Sequence, residues 1–286
     1  MLGRDHFAPH PSRTFEGYYT RVQTEAGGTI AVIFCWVKGA KQRENLVLVL
    51  YDRPQETARQ EGTRRRRTQR DSVPSIGPGI PSFKHEFFPE HLDVTVGEYV
   101  RGEPQAFTIT APGIGSMKVT PMTIEYDICA CANALRLQLV LTHHTPWSRS
   151  QPLSGPMGPI LHFSRLLPLN WHVRATQSEA SYALTYGSSD DPTSATIRGT
   201  GLAHAEKNWG ASFPKGWIWA QAFSADGQHT FCLAGGAALP GVQAYLVGYR
   251  SPVCGQWDFR PPFMLRVGPV APFMHVRHDS GRCRKS

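Results

Sequence analysis

The densest run of chemistry-bearing side chains in the 286-residue chain is Ala205 to Gln221, AEKNWGASFPKGWIWAQ. It holds one carboxyl group (Glu206), two amines (Lys207 and Lys215), two amides (Asn208 and Gln221) and three of the seven Trp residues. On an extended strand, side chains alternate between faces, which puts Trp217, Trp219 and Gln221 together and pairs Glu206 with Asn208. Burial against indoles would keep a carboxyl group protonated near neutrality and so make it a proton donor. The faces of the indoles stabilise a developing cation. If this surface lines a barrel interior, apolar walls with a few converging polar groups suit a small hydrophobic ligand. The same residues also fit a plain structural role, because a β-barrel fills its interior with large side chains. A Glu-Lys pair beside a turn is ordinarily a solvated ion pair.

Other chemistries lack their residues. The chain has no G-x-G-x-x-G, no Walker loop and no H-E-x-x-H, the patterns that hold dinucleotides, nucleoside phosphates and catalytic zinc. It has no G-x-S-x-G nucleophile elbow either. The six Cys (35, 129, 131, 232, 254 and 283) follow no zinc spacing. They read mainly as buried free thiols. His172, beside Trp171, is an alternative proton shuttle or a satisfied core histidine.

The elements that must position these groups read as β-structure. Gly (27) and Pro (23) are abundant, hydrophobic residues make up 41% and charged residues only 18%, a balance that suits a turn-rich all-β protein. Strands are expected over Thr29–Lys38, Asn45–Tyr51, Leu92–Arg101, Ala106–Ala111 and Thr120–His143, the last broken near Ala130–Ala134. Beyond the turn-rich link 148–159, strands are expected near Trp171–Ala175, Ser181–Tyr186, Thr193–His204, Gly216–Phe223, Thr230–Gly235 and Gln243–Tyr249. Helical periodicity is confined to Pro159–Leu167. The simplest architecture is two antiparallel barrel or sandwich halves, 12–147 and 148–275, followed by a basic tail, 276–286. Residues 54–81 read as a disordered insertion in the first half.

The formal net charge of +8 is local. Residues 59–70 carry six Arg and one Glu, and the last ten residues carry four basic groups and one Asp, which leaves the remainder balanced. Such like-charge blocks read as solvated segments and not as an organised nucleic-acid face, although Arg64–Arg67 offer a contact or an address. The longest apolar run, Ile30–Val37, is far shorter than a membrane span. The N-terminus as written lacks the apolar core of a secretory signal. The expected compartment is cytoplasmic or organellar, a plastid included.

Glu206-Lys207-Asn208-Trp209-Gly210, followed by Phe213-Pro214 and by Trp217-x-Trp219, resembles the signature of the tocopherol cyclase family. Phe15-Glu16-Gly17-Tyr18-Tyr19 is similar to the family's F-E-G-W-Y opening, with Tyr18 where Trp is commoner. Thr145-Pro146-Trp147, Gly155-Pro156-Met157-Gly158, and Ala234-Gly235-Gly236 with Leu239-Pro240-Gly241 fall in the same order, so the resemblance spans about residues 12–260. It implies lipocalin-like halves with a pocket for a hydrophobic, often isoprenoid, molecule. Related proteins include carotenoid hydratases and fungal pericyclases. The implied reaction is cofactor-free closure of a prenylated phenol or quinol to a chromanol-type ring, started by protonation of the alkene. It calls for no metal or nucleotide. By this resemblance Glu206 is the acid and Glu16 the second candidate, with Lys207 or Asn208 orienting the phenolic oxygen or tuning the acid. Trp209, Trp217, Trp219 and Trp171 are wall candidates, and Gln221 and Tyr18 complete the substrate-facing set. Uptake of such a substrate would involve peripheral membrane contact. A lipocalin-like carrier without chemistry and a pericyclase-like natural-product cyclase are the competing classes. The Arg-rich insertion lies outside the family pattern. Only 27 residues follow Trp257-Asp258-Phe259, so the second half is expected to lack closing strands.

Overall fold

A computed structural model describes residues 5–54, 80–132, 134–187, 194–211, 216–224, 226–239, 241–261, 265–267, 276–279 and 282–285. The Arg-rich block Arg59–Arg70 lies outside the described residues.

Eleven strands build the first sheet, several of them with period-two burial. In β1 (Phe15–Thr24), Glu16, Tyr18, Thr20 and Val22 turn to one face and are buried, while Phe15, Gly17, Tyr19 and Arg21 turn to the other. The chain then forms β2 (Thr29–Val37), β3 (Asn45–Asp52), β4 (Phe83–Phe87), β5 (Asp93–Val96), β6 (Phe107–Ala111), β7 (Gly115–Val119), β8 (Ile124–Ala130), β9 (Leu135–Thr145), β10 (Leu169–Tyr186) and β11 (Ala195–Gly210). All join one antiparallel sheet in the order β4-β3-β2-β1-β11-β10-β9-β8-β7-β6-β5. Its long-range join is β1 on β11, with Phe15 opposite Gly210 and Thr24 opposite Gly201. The sheet curls around a continuous apolar core that includes Phe34, Val49, Ile109, Met117, Leu137 and Leu139. The inside is therefore filled with packed side chains.

A second, smaller sheet contains β12 (Trp217–Phe223), β13 (Thr230–Leu239), β14 (Val242–Ser251) and β15 (Gly255–Phe259), with β16 (Leu265–Val267) paired to β14. It packs over the outer side of β10 and β11, where Trp147, Trp171 and Val173 meet Cys232 and Ala234. Gly248 of β14 makes this approach possible, because a Cβ there would lie 2.1 Å from the Trp147 ring. A 3₁₀ helix, Gly158–Phe163, adds its buried Leu161 to the same apolar cluster. The fold is all-β and lipocalin-like.

Three local expectations need correction. The strands expected at Trp171–Ala175 and Ser181–Tyr186 are one continuous strand, β10. The polar stretch between them looked like a break, but it is bulged strand, with register shifts between Val173 and Ala175 and between Ala175 and Ser178. Second, β11 does not stop at His204. It runs to Gly210 and carries the whole Glu206–Trp209 motif inside a central strand. Third, β10 and β11 follow residue 148 in sequence yet belong to the first sheet, so the boundary between sheets falls after Gly210. The reason is the β1–β11 pairing, a contact between distant segments that local patterning does not encode. The end of the chain forms a two-stranded hairpin, β17 (Val276–Asp279) and β18 (Arg282–Lys285).

Candidate active site

Because β11 is central and extended, its motif is dealt alternately to two faces. His204, Glu206 and Asn208 point outward beneath the second sheet. Ala205, Lys207 and Trp209 point inward. Register across β1 sets Tyr19 opposite Glu206 and Gly17 opposite Asn208, and Gly17 in turn lies opposite Cys35 of β2. Over this outer face lies β12, whose Trp217, Trp219 and Gln221 share one side, as the sequence pattern predicts. A cavity of about 210 Å³ remains between the layers, lined among others by Gly17, Cys35, Glu206, Asn208, Trp217 and Trp219. Gly17 helps to leave it open: a Cβ there would already touch the Cys35 thiol at 3.5 Å. The aromatic strand thus faces a cleft between sheets and not a barrel interior.

Glu206 is almost completely buried and is held by N–H groups. Trp171 Nε1 and Trp219 Nε1 each donate to Oε2 at 3.0 Å, and His204 Nε2 lies 2.9 Å from the same oxygen. The sequence suggested that indoles would make this carboxyl neutral by excluding water. Two of them also aim their N–H groups at it. His204 is fully buried, and burial acts to lower its pKa, but its contacts with Cys232 and Glu206 outweigh burial and raise it to about 10. The other glutamate oxygen, Oε1, meets Asn208 Nδ2 at 3.5 Å. With its amide so oriented, Asn208 leaves Oδ1 buried and without a partner among the described residues. Tyr19 packs edge-on against Trp219, with ring centroids 4.9 Å apart, and burial followed by the charge of Glu206 pushes its pKa up to about 12. Burial, then Glu16, pushes the Cys35 thiol up to about 12. Tyr19 and Cys35 are therefore neutral, and among the described residues Glu206 supplies the one carboxyl group lining the cavity.

The inward set has a different occupation. Lys207 is fully buried, forms an ion pair with Glu16, donates to the carbonyl oxygens of Phe7 and Ala8, and lies 2.8 Å from His10 Nδ1. Glu16 also accepts the His10 backbone N–H at 2.9 Å and the Tyr18 hydroxyl at 2.9 Å. Trp209 stacks on the His10 ring at 4.6 Å. Phe7 packs edge-on to Tyr18, and Asp5 accepts the backbone N–H of Phe7 and of Gln105. This cluster clamps residues 5–10 over the inner face.

The sequence-derived candidates accordingly separate. Glu206, Asn208, Trp171, Trp217 and Trp219 come together at the cleft. Glu16, Lys207 and Trp209 lie on the opposite side of the sheet. Tyr18 borders the cavity but directs its hydroxyl to Glu16. Gln221 accepts from Arg21 Nη1 at 2.8 Å. His172 is on the inward side, buried, with burial first and His6 second holding its pKa well below the ordinary value. The motif reading passed over His204, although the run His204-x-Glu206-x-Asn208 carries the needed spacing. Tyr19, Gly17 and Cys35 enter through pairing with distant strands. Among the described cysteines, Cys232 is buried, Cys35 and Cys129 are half-buried and Cys131 is exposed, while Cys254 is disulfide-bonded. The expectation of mainly buried thiols was too simple.

These groups set opposite trends with pH. Burial and then Lys207 lower His10 from 6.5 to about 4, and burial lowers His144 to about 4. Their contribution to stability is full above pH 6.5 and is lost as pH falls toward 4, where the unfolded chain binds more protons. Glu16 is lowered because Lys207 and His10 outweigh its burial, so its contribution drains away below 4.5. His204 acts in reverse: its share is full below 6.5 and disappears as pH rises to about 10. The urea midpoint should therefore decline in both directions. A midpoint that stays flat between 6.5 and 4 would contradict the burial of these neutral imidazoles.

Comparison with known proteins bears on the same segment. A family model described as tocopherol cyclase-like matches residues 171–248, from Trp171 of β10 through β11, β12 and β13 to Gly248 of β14. This segment is tocopherol cyclase-like. It contains Glu206 and the residues that donate to it, whereas Phe15–Tyr19, Thr145–Trp147 and Gly155–Gly158 precede the match. In fold, the chain is similar to the crystal structure of CghA with Sch210972, with a TM-score of 0.54 and 10% identity over 87% of this chain and 67% of that one. The structure of CghA alone gives a TM-score of 0.53 and 11% identity over the same shares. At such identities the likeness concerns the fold. No curated protein sequence matches the chain. Among the described residues, no helix is long and apolar enough to cross a membrane, and no three His, Cys, Asp or Glu side chains gather as metal ligands.

Proposed function

We propose that the chain is a cyclase that closes a ring in a prenylated phenol or quinol without a cofactor, using the cleft between the two sheets. The observation that carries this reading is the setting of Glu206: a buried carboxyl group whose Oε2 is taken by N–H donors, beside indoles and an amide oxygen that has no partner among the described residues. Oε1 is then the oxygen for the substrate. The phenolic O–H donates its proton to Oε1, and the same O–H bond on the carboxyl breaks as a C–H bond forms at the trisubstituted alkene. The tertiary cation is captured by the phenolic oxygen, and the product is an isomer of the substrate. Glu206 begins and ends as a carboxylate, so atoms, protons and charge balance. Trp217 and Trp219 supply aromatic faces for the cation, and the confined geometry supplies proximity. A cavity of about 210 Å³ is smaller than a typical ligand pocket of roughly 300–1,000 Å³, which fits the reacting ring with the tail left outside.

Incubation of the purified protein with a panel of prenylated quinols, followed by mass and retention analysis, tests this. The expected product has the substrate's mass and a changed retention time. Recovery of every quinol unchanged, with tryptophan fluorescence quenched on binding, would replace the cyclase by a carrier.

A further inference from the structure

His204 is not among the residues that line the cavity. On β11 it sits two residues before Glu206, on the same face, with Nε2 2.9 Å from Oε2, and both side chains are almost fully shielded from water. Its other nitrogen, Nδ1, lies 3.9 Å from the Cys232 thiol of β13. We propose that His204 is a positioning residue that holds the Glu206 carboxylate in place through a buried imidazolium, so that the alkaline limit of the reaction is set by a group that touches no substrate. This deepens the cyclase reading and rests on Glu206 being its proton relay. The groups facing the pair are few. From β1, Tyr19 lies opposite Glu206 and Arg21 opposite His204, and the guanidinium of Arg21 is directed to Gln221 of β12. From β10 and β12 come the Trp171 and Trp219 N–H groups. From β13 comes Cys232, with Arg250 of β14 close enough to interact with it. Among the described residues, the one carboxyl group directly paired with the imidazole is that of Glu206.

Two measurements test this independently. The first is imidazole nitrogen NMR of the wild-type protein at about pH 8, where an ordinary histidine is neutral. His204 is expected to carry protons on both nitrogens, and to lose one in Glu206→Gln. A neutral His204 in the wild type would overturn the proposal, whatever the substrate is. The second is the pH dependence of kcat. Wild-type kcat is expected to fall on the alkaline side near 10, as His204 deprotonates. In His204→Gln, which can still donate a hydrogen bond but holds no charge, kcat should drop roughly 10–100-fold, the scale seen for groups that orient a reacting ligand. KM should stay unchanged, and the alkaline limb should vanish. Wild-type kcat and an unaltered limb in that variant would refute the assignment. If Glu206→Gln is inactive while His204→Gln is normal, this inference fails alone. If Glu206→Gln is fully active, the cyclase reading fails with it.

Discussion

Glu206→Gln should reduce turnover of a prenylated quinol by roughly 10²–10⁴-fold, the usual contribution of a positioned proton-transfer group, with little change in ligand affinity. Glutamine keeps the volume of the side chain, and its amide oxygen still accepts N–H bonds from Trp171 and Trp219. What disappears is the negative oxygen that relays the proton. Binding, read by quenching of the indoles, depends mainly on the walls and should survive. The competing classes separate on the same variants. A pericyclase relies on shape and hydrogen bonds, so it would tolerate loss of Glu206 better than loss of Trp217 or Trp219. A wild-type rate in Glu206→Gln removes the carboxylate from the mechanism.

Lys207→Met should destabilise the protein by about 3–5 kcal/mol, the scale for breaking a buried ion pair from one side. The substitution leaves the Glu16 carboxylate buried without its cation and releases the Phe7 and Ala8 carbonyl groups. The effect should diminish in mild acid. Removing Lys207 takes away a positive charge that disfavours protonation of His10, whose Nδ1 lies 3.8 Å from Glu16 Oε1. A protonated His10 then serves as a substitute partner. Urea denaturation of the single variants and of Glu16→Gln/Lys207→Met gives the coupling directly. The double variant should lose much less than the sum of the single losses. A loss under about 1 kcal/mol for Lys207→Met, the range of a surface pair, would show that the clamp is not what holds residues 5–10.

The sequence carries strand identity well where one face meets the core and the other does not. The alternation in β8 is direct evidence of this, and the shared side of Trp217, Trp219 and Gln221 follows from the same rule. It carries much less where a strand is buried on both faces. Residues 169–176 of β10 and 203–207 of β11 are covered from two sides, so polar residues such as Thr176, Ser178 and His204 sit inside and the pattern looks broken. For that reason the sequence pattern divides β10 into two strands and ends β11 at His204. The candidate site shows the same limit. Glu206, Lys207, Asn208 and Trp209 are neighbours in sequence, but alternation separates the relay from the clamp. The remaining walls, Gly17, Tyr19 and Cys35, arrive through β1–β11 and β1–β2 pairing, which no local window contains.

The interleaving of two functions along β11 makes the site sensitive to length as well as to identity. Deleting or inserting one residue between Ala203 and Gly210 would preserve composition and hydrophobicity, yet it would turn the ammonium group into the cleft and bury the carboxylate against Phe7. Relatives that keep the chemistry should therefore hold the spacing of this segment constant, even where loops beside it grow or shrink freely.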